Sequence, residues 1–122
     1  MIYTSYWGNL KELVKVFGKD RIINISRWNN FWKGKKCSML YPSEQLLKDF
    51  KNGRVDEEEY RRIFLDYLWS LNVDNCYKVF NECVFVCYEK EGFCHRHLIK
   101  EWLNYFGYEC EEFGDTGETE LF

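Results

Sequence analysis

The stretch Val84-Phe-Val-Cys-Tyr-Glu-Lys-Glu-Gly-Phe-Cys-His-Arg-His-Leu98 gathers a thiol, a carboxylate, an imidazole and a guanidinium into one turn. It reads as a buried strand, a short loop and the start of a helix. Cys87 and Glu89 leave the strand end, and Cys94, His95 and Arg96 open the helix. A thiol at a helix N-terminus meets unsatisfied backbone N–H groups and the positive end of the dipole. Such surroundings lower a cysteine pKa from about 8.5 towards about 3.5–7.5 and make the thiolate a nucleophile. The expected roles are Cys94 as nucleophile or His95 as acid/base, with Glu89 as base or orienting partner. Cys87 completes the cluster. Arg96 and the helix N-terminus would hold a phosphate or carboxylate.

A plainer reading uses the same residues. Cys94 lies four before Leu98 and can pack under the helix. His95 can donate a structural hydrogen bond to a strand, and Arg96 can pair with Glu89. No metal is expected, because consecutive helical residues point about 100° apart, so that Cys94, His95 and His97 diverge. No cofactor is expected either. Walker-type, G-x-G-x-x-G and H-E-x-x-H motifs are absent from the sequence, which argues against ATP, dinucleotide and zincin chemistry.

The second candidate surface is the stretch from Arg27 to Pro42. It carries Arg27, Lys33, Lys35 and Lys36 without an acid, interleaved with Trp28, Phe31, Trp32 and Tyr41. Rings of this kind stack on bases while the cations meet phosphates. Gly34 would permit close backbone approach. The competing reading is a solvated loop whose rings plug the sheet edge.

The elements that must position these residues follow from periodicity. Ile2–Tyr6 and Arg21–Ser26 are β-prone runs, and Cys83–Cys87 is a continuous apolar run typical of a strand covered on both faces. Tyr108–Phe113 is polar enough for an edge strand. Helical spacing appears over 10–17, 43–50, 56–71, 74–80 and 94–106. Ser43, Asp56 and Asp74 are the expected N-caps and Gly107 the C′ residue. This alternation predicts an α/β fold: one compact domain over residues 1–113, with a mostly parallel sheet of about four strands and helices on both faces. Residues 114–122 form an acidic, frayed tail. Right-handed crossovers bring the loops that begin at Ser5, at Ser26-Arg27 and at Cys87 to one side of the sheet. There they share a crevice, the usual place for a ligand in open α/β folds.

Composition sets the outer limits. At 122 residues, 46% hydrophobic and 20% aromatic, the chain is globular and has more rings than a small core can hide. A net charge of −3 gives no global basic field for nucleic acid. No run is long enough to span a bilayer, and Met1-Ile-Tyr-Thr-Ser does not resemble a charged leader. Six irregularly spaced cysteines without a leader predict reduced thiols in a cytoplasm.

Cys87-Tyr-Glu89 followed by Cys94-His-Arg96 at a helix start resembles the domain of unknown function family 488. Tyr3-Thr-Ser-Tyr-Trp-Gly8 and Ile25-Ser-Arg27 fit the same pattern, and the resemblance extends to about Phe113. The second strand departs from the common Asp-x-Arg form, with Asn24 or Ser26 where an acid is frequent. The resemblance implies a Rossmann-like domain from a bacterium, an archaeon or one of their viruses, and implies no settled activity. Two function classes follow. One is an enzyme or binder directed at a nucleotide or nucleic-acid component. The other is a non-catalytic interaction protein, such as a phage or mobile-element counter-defence or host-interaction factor, with a protein partner.

Overall fold

Short apolar runs become strands here because each is covered on both faces. Ile2–Tyr6 (β1), Ile22–Asn24 (β2), Val84–Cys87 (β3) and Cys110–Glu112 (β4) form one sheet in the order β2-β3-β1-β4. Every pairing is parallel. The structure is a computed structural model and describes residues 1–88 and 93–114. The helices are α1 (Leu10–Phe17), α2 (Glu44–Lys51), α3 (Glu57–Trp69), α4 (Val73–Phe80) and α5 (His95–Tyr105). This is the α/β architecture that the alternation of elements predicts. Among the described residues, no helix is long and apolar enough to cross a membrane.

The two-residue period of the strands divides the interior. Val84 and Val86 point to a small core with Trp7, Ile22 and Leu13 of α1. Phe85 and Cys87 point the other way, into a larger core built with Leu46, Phe64, Leu98 and Trp102 from α2, α3 and α5. The chain thus leaves β1 towards one face and β3 towards the other. These strands are neighbours, with Tyr6 opposite Cys87. Their carboxyl ends therefore flank the point where the connections diverge, the switch point of the sheet.

Local caps decide where the helices begin. The Ser43 hydroxyl accepts from the Leu46 N–H at 3.0 Å, and the Asp56 carboxylate from the Glu59 N–H at 2.8 Å. At α4 the expected cap is corrected. Asn72 accepts from the Asn75 N–H at 3.0 Å, so the helix starts before Asp74. Asp74 instead takes the Tyr108 hydroxyl. Strand β2 is shorter than expected because Asn24 bonds the backbone of Ser26 on both sides, closing a turn. The expected tail lies from residue 115 onward outside the described residues.

Phe64 stands 1% exposed at the centre of the larger core. Phe64→Ala should cost about 3–5 kcal/mol through lost burial and a residual cavity. A urea titration should show the midpoint fall with the slope unchanged.

Candidate functional site

Cys87 ends β3, and Cys94 is the N-cap of α5. Cys94 has φ −150° and ψ 142°, so its side chain does not follow the helical step. It turns back onto the strand end, and the structure joins Cys87 to Cys94 as a disulfide with Cα atoms 7.6 Å apart. The expectation of reduced thiols is corrected for this pair, because strand end and helix start abut. Cys37, Cys76, Cys83 and Cys110 are free.

His95 begins the helix proper and is buried. Its Nε2 lies 2.8 Å from the Ile25 carbonyl. A carbonyl can only accept, so Nε2 carries the proton and the lone pair of Nδ1 faces the Cys94 Sγ at 3.9 Å. Burial pulls the imidazole pKa down to about 4; the Ile25 contact opposes this, and the charges of Arg96 and His97 add to it. His95 is therefore neutral near pH 7. It offers a lone pair there rather than an acid, and its structural hydrogen bond goes to Ile25, the residue that follows strand β2, not to the strand itself. The expected divergence is also corrected. Donor atoms of Cys87, Cys94 and His95 all lie within 4.8 Å of one another, because the helical step starts only after Cys94. His97 is exposed, as expected.

Arg96 is 1% exposed. Its Nε donates to both carboxylate oxygens of Glu112 at 3.0 and 3.1 Å, and its Nη2 lies 3.0 Å from Oε2. Its Nη1 donates to the Cys87 Sγ at 3.2 Å. The Tyr6 ring lies beneath the guanidinium at 5.8 Å. Beside the expected role in anion binding, Arg96 thus has a structural one: one edge of its guanidinium pairs with Glu112, and Nη1 donates to Cys87. The thiol with a cation against it is Cys87, not Cys94. The expected partner Glu89 lies outside the described residues.

Ser5 is corrected too. Its hydroxyl donates to the Phe113 carbonyl at 3.2 Å, on the α1 face of the sheet. Its neighbours Thr4 and Tyr6 point towards α5. Thr4 Oγ1 donates to Glu112 Oε1 at 2.6 Å. Thr4, Tyr6 and Glu112 are the site residues that sequence reasoning missed. Alternation along β4, with Cys110 buried, Glu111 exposed and Glu112 half-buried, was the available signal.

A crevice of about 220 Å³ opens at the carboxyl ends of β2 and β3. Cys87 and His95 form its inner wall, and Arg27, Trp28, Lys51 and Tyr88 surround its mouth. Arg27 is held by its Nε donating to the Pro42 carbonyl at 2.8 Å and lies over the Tyr41 ring. The Ser26 hydroxyl is buried on the same wall without a hydrogen-bond partner. On the other side of the cluster a wider groove of about 690 Å³ is lined by Cys94, His97, Arg61 and the acids Glu57, Glu58 and Glu101.

Arg27, Trp28 and Pro42 of the basic loop line the crevice, and Trp32, Lys33, Lys35 and Lys36 are not among its lining residues. Trp32 packs on Trp7 at 5.2 Å and donates its Nε1–H to the Lys35 carbonyl at 3.1 Å. The backbone beside Lys35 and Lys36 pairs with Asn24, extending the sheet edge. The side chains of Lys33, Lys35 and Lys36 are exposed along that edge. Gly34 does permit close approach, but to Trp32: a Cβ there would meet the indole at 2.8 Å. No family model, curated protein or solved structure matches this chain.

Removing one member of a buried ion pair leaves the other charge unpaired. Glu112→Gln should therefore cost about 3–5 kcal/mol in chemical denaturation. Burial pushes the thiols of Cys76 and Cys110 up to about 12. At pH 8 their thiolate fraction falls about a thousandfold below that of an unfolded cysteine. Site-resolved mass spectrometry should show both alkylated at least a hundredfold more slowly in the native protein than in urea.

Proposed function

We propose that this domain binds a nucleotide or nucleic-acid component in the crevice at the ends of β2 and β3, against the Cys87–Cys94–His95 cluster. The observation that carries this reading is the pairing of complementary groups on one small surface. Arg27 and Lys51 supply two cations for phosphate. Trp28, half exposed, supplies a ring for stacking. The unpartnered Ser26 hydroxyl supplies a buried polar contact. A volume of about 220 Å³ suits part of a nucleotide, not an extended dinucleotide. In the reduced, dithiol form the cluster would be the reacting centre, with Arg96 stabilising a Cys87 thiolate while Glu112 holds the guanidinium in place.

Stacking on Trp28 is worth about 1–3 kcal/mol. Equilibrium dialysis against nucleoside mono- and triphosphates and short single strands should show saturable binding. Trp28→Ala should weaken it about 5- to 150-fold. Arg27→Ala should weaken it and flatten its salt dependence. Trp69→Ala, which removes an exposed ring at the end of α3, should leave it unchanged. Absence of saturable binding across the panel would overturn the reading.

The exposed rings of Trp28 and Phe31, next to the cations at 33, 35 and 36, favour a second reading as a non-catalytic interaction surface. On that reading, alanine at Trp28 or Phe31 weakens association with a protein partner, and serine at Cys87 does not.

A further inference from the structure

Two sulfurs and one imidazole nitrogen converge in the protein interior, and a permanent covalent link between the sulfurs is only one of their possible uses. We propose that the dithiol form of Cys87 and Cys94, together with His95 Nδ1, binds a divalent ion of the zinc type. The ion would sit where strand β3 meets the start of α5.

The donor atoms already lie within 4.8 Å of one another, on residues that are all buried. His95 shows the outer arrangement that metal-bound histidines use. Its Nε2–H is spent on the Ile25 carbonyl at 2.8 Å, which fixes the tautomer and directs the Nδ1 lone pair at the sulfurs. Arg96 plays a comparable part for sulfur, donating to Cys87 Sγ at 3.2 Å. Charge also closes. Two thiolates neutralise a divalent ion, and Arg96 is neutralised by Glu112, so no net charge is buried.

The span fits as well. The Cα atoms stand 7.6 Å apart, outside the 4.4–6.8 Å usual for disulfides. Two sulfurs bound at about 2.3 Å to one tetrahedral ion lie roughly 3.8 Å apart, a separation that this backbone accommodates. Thiolate and imidazole donors select zinc or cobalt over magnesium or calcium. Three protein donors leave a fourth position for an exchangeable ligand, and Cys87 and His95 are also the wall of the crevice.

The chemistry balances with a dithiol or phosphine as two-electron reductant. A dithiol supplies two electrons and two protons as it closes to its own disulfide, whereas a phosphine takes the oxygen atom of a water molecule and leaves that water's two protons on the sulfurs; either way the S–S bond breaks and two thiols remain. Each thiol then releases one proton as its sulfur electron pair bonds the ion, while neutral His95 releases none.

The test uses the full chain, reduced with a phosphine, stripped with a chelator and kept under nitrogen without nucleotide. Titration with Co²⁺ should reach one ion per chain, with thiolate-to-cobalt charge-transfer absorption and the visible bands of a tetrahedral site. Zn²⁺ should displace it. Cys87→Ser and Cys94→Ser should each weaken binding at least a hundredfold, and Cys110→Ser, a buried thiol elsewhere, should not. Circular dichroism checks that each variant folds. If the serine variants fail to fold, two protons released per Zn²⁺ in the wild-type protein decide the matter in favour of the site. A folded, reduced protein that shows no charge-transfer band, or one that keeps it in Cys87→Ser, overturns the proposal. Because nucleotide is absent throughout, failure of the crevice reading leaves these outcomes untouched.

Discussion

A guanidinium buried in a protein interior calls for a counter-charge, and Arg96 has one in the carboxylate of Glu112. The pair spans three elements. Arg96 belongs to the first turn of α5, Glu112 to edge strand β4, and the Thr4 hydroxyl on β1 holds the same carboxylate. Three strand and helix ends are thereby locked in register at the carboxyl side of the sheet. The rest of the site follows from this constraint. With Nε and Nη2 on Glu112, Nη1 is turned towards Cys87. With α5 anchored at its second residue, Cys94 and His95 are held against the end of β3. A lysine could not substitute, because one point charge cannot serve a carboxylate and a sulfur with a fixed fork.

Much of the framework was legible in the sequence, since apolar periodicity is set by burial. The run 83–87 reads as a doubly covered strand and is buried throughout over Val84–Cys87. Ser43 and Asp56 cap as their chemistry suggests. The convergence of the strand ends was legible too, because parallel strands with alternating helices bring their carboxyl ends to one side of the sheet. What the sequence hid were partnerships across distance. Glu112 lies 16 residues from Arg96 and 108 from Thr4. No local pattern announces such pairs. The same limit explains Ser5, whose type suits a ligand contact but whose parity on β1 sends it to the α1 face.

Helical geometry misleads at helix ends for a related reason. The 100° step applies to residues with helical dihedrals, and an N-cap is extended. Cys94 therefore sits outside the wheel on which His95 and His97 lie, and its sulfur is free to turn towards Cys87. Composition misleads in the basic loop in a different way. Charge and ring counts reveal the material of a nucleic-acid surface, but not which atoms the rings already satisfy. Trp32 and Gly34 are used to pack the loop against Trp7. Its first two members, Arg27 and Trp28, and its last, Pro42, line the crevice.

The cluster lies between two openings of opposite character. Cys87 and His95 face the crevice with Arg27 and Lys51 at its mouth, and Cys94 faces the groove carrying Glu57, Glu58 and Glu101. Field lines from each set of charges are focused by the low-dielectric wall between them. An anionic ligand is therefore drawn to Cys87 and repelled from Cys94. A cation meets the reverse preference, although Arg61, paired with Glu101, tempers it. This asymmetry gives the two neighbouring sulfurs different electrostatic surroundings. The Arg96–Glu112 pair, a cation and an anion joined in one unit, favours neither opening.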